Sequence, residues 1–590
     1  MFSNDEWASL IVSCCEVAGI SQFCIAPGSR STPLTLTVAA RSNLTSHIHF
    51  EERGLSFFAL GLAKSRREPV AIITTSGTAV ANLLPAVVEA YYSQVPLLLL
   101  TADRPPELIG VGANQAIVQE GIFGGYVRHS VSLPCPEDDK RMDEIINSLW
   151  AASKNLENGP VHINIPFREP LFMVESQNNF VSDLTRNNKH SSQFKKLKHE
   201  SVTVDTLERG VTDFKVLFNG TTIKTSKKDV ERRDNKQDIE IVRPHLNRIL
   251  TSSNWVNESV KKPLIILGEC SKEDYKIAIE LAVHFSIPIL IDVLSSYKSG
   301  DYHCKIDQYD WFIDLPKYHY LKPDFVIWIG GRVLSKKLHQ WIPKKTKILQ
   351  FSQLLYPINP ENNSNLIKIS DKLNDEIKIV LENNLDFDLH KDWCLQWVTI
   401  NGKVNAIIRT SVEMKNFNHE PSIYAELFRM ISIEFPSSRE QNRPSGVNLF
   451  LANSSPIRHA ATFLNQQPIQ LSNIFANRGG SGIDGIVSSI SGYSSGSKDP
   501  LIAIVGDLSF FHDLSSLLLL GKLKTTCVLI VINNNGGGLF SWLPVQKSKF
   551  FTKYFQTPHD TTGKSFCEGA RVDYENPSSK QSFSRVLKKA

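Results

Sequence analysis

The chain has 590 residues, 42% hydrophobic and 21% charged, with 65 Lys+Arg against 60 Asp+Glu and a formal net charge of +5. At roughly 150 residues per domain this suggests about four domains, or three large ones. The composition excludes wholesale disorder, the balanced charge argues against a general nucleic-acid binder, and no apolar run approaches the ~18 residues of a membrane span. The nine Cys are scattered without a CxxC, so neither a zinc ribbon nor a thioredoxin-type redox motif is expected. Most read as small core residues in a reducing compartment. The start, MFSNDEWASL, has no Arg-rich or signal-like stretch and does not read as a targeting peptide. Bacterial cytoplasm fits, and so does the stroma of a plastid that encodes the protein.

In chain order, Phe23–Pro27 is a short apolar run followed by the turn Gly28-Ser29-Arg30-Ser31. Val70–Thr74 is a second strand candidate, and Ser76-Gly77-Thr78 then opens a predicted helix, Ala79–Tyr92. Val95–Thr101 and Val161–Ile165 are further strands. Strands alternating with helices indicate a parallel sheet covered on both faces. Residues 176–245 turn polar, as in Asn187–Lys198 and Lys224–Lys236, and read as a linker or decorated insertion. The α/β pattern returns with strands at Pro263–Leu267, Ile287–Val293, Phe325–Ile329 and Lys347–Phe351. Residues 386–440 read as a helical connection. A third unit follows: strands Val447–Leu451, Leu501–Val505 and Cys527–Ile532, with helix Leu514–Leu520 between the last two.

Chemistry concentrates in the third unit. The strand Ala503–Val505 runs into Gly506-Asp507-Leu508-Ser509, and the strand Cys527–Ile532 runs into Asn533-Asn534-Asn535-Gly536-Gly537-Gly538. Ligands of parallel sheets bind beyond the carboxyl ends of strands. Asp507 and Asn534 are 27 positions apart, enough for a helix and the next strand, so both can reach one sheet edge. An Asp oxygen, an Asn oxygen and a backbone carbonyl are hard ligands suited to Mg²⁺, which takes its remaining ligands from phosphate and water. Either half alone would read as a helix cap or an Asn turn. Together they read as a metal-diphosphate site. A second candidate is Glu51-Glu52-Arg53-Gly54, where an acid opens a helix after a short strand; taken alone, such a Glu is a first-turn residue favoured by the helix dipole.

The Asp507–Asn534 pairing resembles the thiamine-diphosphate motif, which runs Gly-Asp-Gly, then about 25–30 residues, then Asn-Asn. Leu508 stands where the third motif residue is normally Gly, as in one branch of the superfamily. Longer strings narrow the resemblance: Ala26–Leu34, His49–Gly54, Thr75–Asn82, Thr101–Leu108, Gly112–Ile117, Ala476–Gly485 and Asn533–Gly537. From about Trp7 to His559, apart from the polar insertion, the chain is similar to the 2-succinyl-5-enolpyruvyl-6-hydroxy-3-cyclohexene-1-carboxylate synthase family of menaquinone and phylloquinone biosynthesis.

The resemblance implies three doubly wound parallel-sheet domains: a pyrimidine-binding domain (1–180), a central domain (246–385) and a diphosphate-binding domain (441–590) that is expected to lack its last strand. A polar insertion or linker (181–245) and a helical connection (386–440) separate them. It implies thiamine diphosphate with Mg²⁺ or Mn²⁺, decarboxylation of 2-oxoglutarate, and addition of the succinyl unit to isochorismate without pyruvate release. Glu52 falls on the acid that hydrogen-bonds the aminopyrimidine, with Glu51 its variable neighbour; the task calls for a carboxyl in a dry pocket. The implied metal ligands are Asp507, Asn534 and the Gly536 carbonyl. Gly77, Thr78, Ser454, Gly506, Leu508, Ser509 and Leu539 fall on cofactor positions. Gln115 faces substrate and bound intermediate. Ser29, Arg30, Arg104, Lys336 (with Lys337 a near competitor), Arg458 and Arg478 fall on substrate positions, with Ser454 near the oxoglutarate group. Leu539, Phe540 and Leu543 form an apolar wall. Arginine suits a dicarboxylate because its planar fork grips a carboxylate with two hydrogen bonds. A homodimer or homotetramer is implied, because Glu and metal site come from different subunits. No nucleic acid or membrane partner is implied.

Rival readings are a sister thiamine enzyme (acetohydroxyacid synthase or 2-oxoacid decarboxylase), a catalytically inactive homologue, and a nicotinamide site at Gly480-Ser481-Gly482-Ile483-Asp484-Gly485. That GxGxxG follows Asn473–Arg478, which reads as a poor buried strand. Thr562-Gly563-Lys564-Ser565 fails as a P-loop because Pro558 stands where its first Gly is required.

Overall fold

The computed structural model describes residues 3–136, 142–172, 260–295, 302–369, 390–413, 419–435, 446–467, 469 and 471–589, with the pairs 217–218 and 221–222. The polar 181–245 segment otherwise lies outside the described residues. The chain divides into two compact units: residues 1–196 with 414–590, and residues 197–413.

Ser3 opens the first helix, α1 (Asn4–Val17), by a capping box: its hydroxyl accepts the Glu6 N–H while the Glu6 carboxylate accepts the Ser3 N–H. Then follow β1 (Gln22–Ile25), α2 (Thr32–Ala39), β2 (Thr45–Ile48), α3 (Glu52–Arg66), β3 (Val70–Thr74), α4 (Thr78–Ala81), α5 (Leu84–Ser93), β4 (Leu97–Asp103), β5 (His129–Ser132), α6 (Met142–Leu156) and β6 (Val161–Pro166). All pairs are parallel, in the order β2-β1-β3-β4-β6-β5. Strands β1, β3, β4 and β6 are buried along their whole length, as near-continuous apolar runs in a two-sided parallel sheet must be. The helix expected over Ala79–Tyr92 is in fact two, broken at Asn82–Leu83. Pro85 is the cause: it has no N–H to donate, and its ring would clash with the Ala81 carbonyl of a continuous helix.

The second unit contains β7 (Pro263–Leu267), α7 (Lys272–His284), β8 (Ile289–Ile291), β9 (Lys305–Ile306), β10 (Phe325–Ile329), α8 (Lys336–Trp341), β11 (Lys347–Phe351), β12 (Leu366–Ile369) and α9 (Lys391–Glu413). Its sheet is parallel, ordered β9-β8-β7-β10-β11-β12. Helix α9 closes one face with Trp393 and Trp397, and the Trp393 indole N–H donates to the Pro263 carbonyl at 2.8 Å.

The first unit resumes with α10 (Glu420–Glu434), β13 (Val447–Leu451), α11 (Ser455–Phe463), β14 (Leu471–Phe475), α12 (Ile486–Gly496), β15 (Leu501–Gly506), α13 (Asp507–Phe511), α14 (Leu517–Leu520), β16 (Cys527–Ile532), α15 (Lys564–Gly569) and α16 (Lys580–Lys589). Its sheet is parallel, ordered β14-β13-β15-β16; among the described residues it has four strands where the other two have six. Strand β14 corrects the reading of Asn473–Arg478 as a poor strand. Asn473 donates to the Asn448 side chain of β13 at 3.1 Å, so a polar residue is satisfied inside the sheet.

Helices α3 and α12 join the two sheets of the first unit. They meet through glycine: a Cβ on Gly61 would overlap the Ser489 carbonyl, and one on Gly492 the Phe58 carbonyl. All nine cysteines are free thiols, seven of them buried, and burial pushes Cys15, Cys304, Cys394 and Cys527 up to about 12. Among the described residues no helix is long and apolar enough to cross a membrane.

Candidate active site

Each sheet has a point where the connections leave neighbouring strands in opposite directions: between β1 and β3, between β7 and β10, and between β13 and β15. Crevices form at the carboxyl ends of such strands. Ser29 and Arg30 follow β1, Gly77 and Thr78 follow β3, Lys336 follows β10, Ser454 follows β13, and Gly506–Ser509 end β15. Sequence positions far apart thus share one kind of place.

At the third sheet, Asp507 is 2% exposed. Its Oδ1 accepts the Leu508 N–H at 2.7 Å; its Oδ2 accepts the N–H groups of Asn534 at 3.1 Å and Gly536 at 2.9 Å. The Asn534 side chain lies against the Glu420 carboxylate of α10, which can only accept, so the amide –NH₂ is engaged and its oxygen is left available. The Gly536 carbonyl accepts the Gly538 N–H at 2.8 Å and retains a second lone pair. A carboxylate, an amide oxygen and a carbonyl therefore face one turn, a donor set that fits Mg²⁺ or Mn²⁺. A Cβ at Gly506 would meet nothing within 4 Å, so the strand end beside Asp507 is open to a ligand. Leu508 is half-buried and Ser509 buried, while Leu539 (half-buried), Phe540 and Leu543 (both exposed) follow the glycine turn.

Two turns at these rims adopt the same backbone conformation. Gly77, ahead of α4, has φ 86° and ψ −140°; Ser454, ahead of α11, has φ 74° and ψ −131°. Glycine takes that shape freely, whereas serine is strained in it. Gln115 also lies at positive φ, 57°, and its amide donates to the Ser76 carbonyl at 3.0 Å.

The structure separates two pairs that sequence could not. Glu51 is the N-cap of α3: it accepts the Gly54 N–H at 2.8 Å and the Ser515 hydroxyl at 3.3 Å, and faces Arg53 at 3.6 Å. Among the described residues no hydrogen bond or ion pair engages the Glu52 carboxylate. In the second unit, Lys337 pairs with Asp314 at 3.2 Å, whereas Lys336 is exposed and has no ion pair among the described residues.

The arginines are already partly used. Arg30, 3% exposed, donates to the Phe167 carbonyl at 2.8 Å and pairs with Glu169 at 2.9 Å, leaving its Nε without a partner. Burial and the nearby Arg104 cation pull Arg30 below its usual pKa, so the two guanidiniums form one cationic patch. Arg104 donates to the Asn114 carbonyl at 3.0 Å, Arg458 to the Ser454 carbonyl at 2.6 Å, and Arg478 to Asn453 at 2.8 Å.

Sequence reading missed the supports beneath these groups. Gln119, 1% exposed, accepts the Gly77 N–H at 2.9 Å and donates to Asn164 at 2.8 Å, which donates to Asp103 at 2.7 Å. The only signal was polar His162 and Asn164 inside an otherwise apolar strand. Glu89, 4% exposed, accepts the N–H groups of Gly479 at 2.8 Å and Gly480 at 2.6 Å and pairs with Lys64 at 3.5 Å. The carboxylate thus occupies the amide of Gly480, the first glycine of the GxGxxG, and sets a negative charge where a dinucleotide phosphate would have to lie, which argues against the nicotinamide reading.

Three parallel sheets with these rims place the chain among thiamine pyrophosphate enzymes: residues 6–122 match the family model "Thiamine pyrophosphate enzyme, N-terminal TPP binding domain", and residues 233–434 match "Middle domain of thiamine pyrophosphate". The 2-succinyl-5-enolpyruvyl-6-hydroxy-3-cyclohexene-1-carboxylate synthase of Bacillus velezensis is 34% identical over 571 residues, covering 94% of this chain and 87% of the relative. Those of Aliivibrio fischeri and Geobacillus kaustophilus are 32% and 34% identical with the same coverage. This chain belongs to that synthase family.

Proposed function

We propose that the protein joins 2-oxoglutarate, with loss of CO₂, to isochorismate, giving 2-succinyl-5-enolpyruvyl-6-hydroxy-3-cyclohexene-1-carboxylate for menaquinone or phylloquinone synthesis. The observation that carries this is similarity along nearly the whole chain to synthases bearing that product's name. Bound thiamine diphosphate supplies the electron sink for the decarboxylation. Asp507, Asn534 and the Gly536 carbonyl hold Mg²⁺ or Mn²⁺, which neutralises the diphosphate. Gly77, Thr78, Ser454, Gly506, Leu508, Ser509 and Leu539 line the cofactor. Glu52 holds a proton at the aminopyrimidine; its lack of a competing partner among the described residues supports that role.

Both substrates are anionic, and Ser29, Arg30, Arg104, Arg458 and Arg478 receive their carboxylates, with Gln115 ordering the reacting groups. Phe540 and Leu543 exclude water. The protein works as a homodimer or homotetramer in which Glu52 of one chain serves the metal site of another. Exposed apolar residues around the rims, Val111, Val118, Trp542 and Tyr554, support such an assembly.

The test is incubation of purified protein with 2-oxoglutarate, isochorismate, thiamine diphosphate and Mg²⁺. Consumption of isochorismate is expected. Its absence would overturn the reading, and turnover of pyruvate instead would indicate an acetohydroxyacid synthase or decarboxylase.

A further inference from the structure

The run Asn533-Asn534-Asn535 holds two asparagines that the metal site does not use. Both hold a single downstream loop. Asn533 donates to the Thr561 carbonyl at 3.0 Å. The Asn535 side-chain oxygen accepts the N–H groups of His559 at 3.0 Å and Asp560 at 2.8 Å, and its –NH₂ donates to Asp560 at 2.7 Å. The Gly537 N–H completes the attachment on the Gln556 carbonyl at 2.6 Å.

This loop returns a side chain to the site. His559 Nε2 lies 3.2 Å from Asp507 Oδ2, and the ring packs edge-on against Phe511 with centroids 4.7 Å apart. The tautomer follows from the other nitrogen. The Thr561 N–H donates to His559 Nδ1 at 3.1 Å, which requires a lone pair there. The ring hydrogen is therefore on Nε2 and points at Asp507. Asp507 Oδ2 then accepts three donors, from Asn534, Gly536 and His559, while Oδ1 accepts only Leu508. One oxygen is saturated; the other keeps a lone pair for a cation.

We propose that His559 is a positioning residue that locks the Asp507 carboxylate so that only Oδ1 meets the metal, and that Asn533 and Asn535 exist to deliver it. The inference rests on the reading of Asp507 as a metal ligand. Partners that orient a metal ligand contribute about 10–100-fold in affinity.

The experiment titrates the full-length protein with Mg²⁺ at saturating thiamine diphosphate and follows cofactor binding by calorimetry, with thermal unfolding in parallel. His559→Leu should raise the Mg²⁺ concentration for half-saturation by about 10–100-fold. His559→Gln, whose amide nitrogen can occupy the Nε2 position, should stay within about threefold of wild type, and the shorter His559→Asn should not. Wild-type Mg²⁺ affinity in His559→Leu, or equal weakening in the Gln and Asn variants, would overturn the proposal. If the Leu variant does not fold, the Gln and Asn pair decides alone. Asp507→Ala is the control: loss of Mg²⁺-dependent binding is expected, and its retention would remove the metal-site reading itself rather than the role of His559.

Discussion

The carboxylate of Glu51 accepts the Gly54 N–H at 2.8 Å, and this commits one of two adjacent glutamates to capping a helix. The proposed catalytic role falls to its neighbour Glu52. Glu52→Gln should therefore cut turnover by about 10²–10⁴-fold while leaving cofactor binding and unfolding temperature nearly unchanged. Glu51→Ala should do the reverse, costing about 0.5–2 kcal/mol of stability with turnover retained. Steady-state kinetics and urea unfolding on both variants test the assignment; a large kinetic loss in Glu51→Ala alone would exchange the roles.

Ser454 carries a backbone conformation that its counterpart Gly77 adopts without cost. Ser454→Gly should relieve roughly 1 kcal/mol or more of strain and raise the unfolding temperature. It should also weaken cofactor or oxoglutarate binding, since the hydroxyl at the β13 rim is lost. A fall in unfolding temperature on this substitution would show that the serine is not strained.

Glu89 ties the first sheet's α5 to the glycine loop that carries Arg478. Burial pushes its carboxyl pKa up, but Lys64, the N–H groups of Gly479 and Gly480 and the Ser93 hydroxyl outweigh it and hold it below the usual range. A depressed folded pKa contributes stability above the unfolded value of ~4.3, and that stability is lost as pH falls through the folded value. Glu89→Gln should cost about 2–4 kcal/mol at neutral pH, by leaving the half-buried Lys64 without a counter-charge. The deficit should shrink as pH drops below ~4.3. Urea unfolding at several pH values measures it, and a deficit independent of pH would refute the pairing.

Asp513 has the opposite sign. Burial pushes it up to about 6, although it accepts the Ser488 N–H and the Ser516 hydroxyl and lies 3.6 Å from Arg53. The folded state therefore holds a proton that the unfolded chain releases near ~3.9, and stability from this residue falls as pH rises from ~4 to about 6, then levels. Asp513→Asn should remove that decline, so its stability relative to wild type should climb across the same window and be flat above it. Thermal unfolding between pH 4 and 7 shows the climb; a flat difference throughout would mean Asp513 is ionised in the folded state at all these pH values.

Much of this was legible in the residues. Apolar runs ending in Gly and polar turns gave the parallel sheets, because a strand buried on both faces needs unbroken hydrophobicity and a rim needs donors. The 27-position interval between Asp507 and Asn534 is what a helix and one strand require. The break before Pro85 was missed, although proline's missing N–H and ring clash are local properties that signal it. Strand β14 was harder: Ser472 and Asn473 look wrong for a core until Asn448 is seen opposite.

Spacing along one chain determined which segments become strands, where their rims fall and which residue types stand there. Tertiary structure alone distinguished the surroundings of Glu51 from those of Glu52 and of Lys337 from Lys336, and it alone brought Glu89 to Gly480 and His559 to Asp507. The physical reason is that a hydrogen bond depends on where two atoms end up to within a few tenths of an ångström. Partners 52 or 391 positions apart leave no trace of that in local pattern.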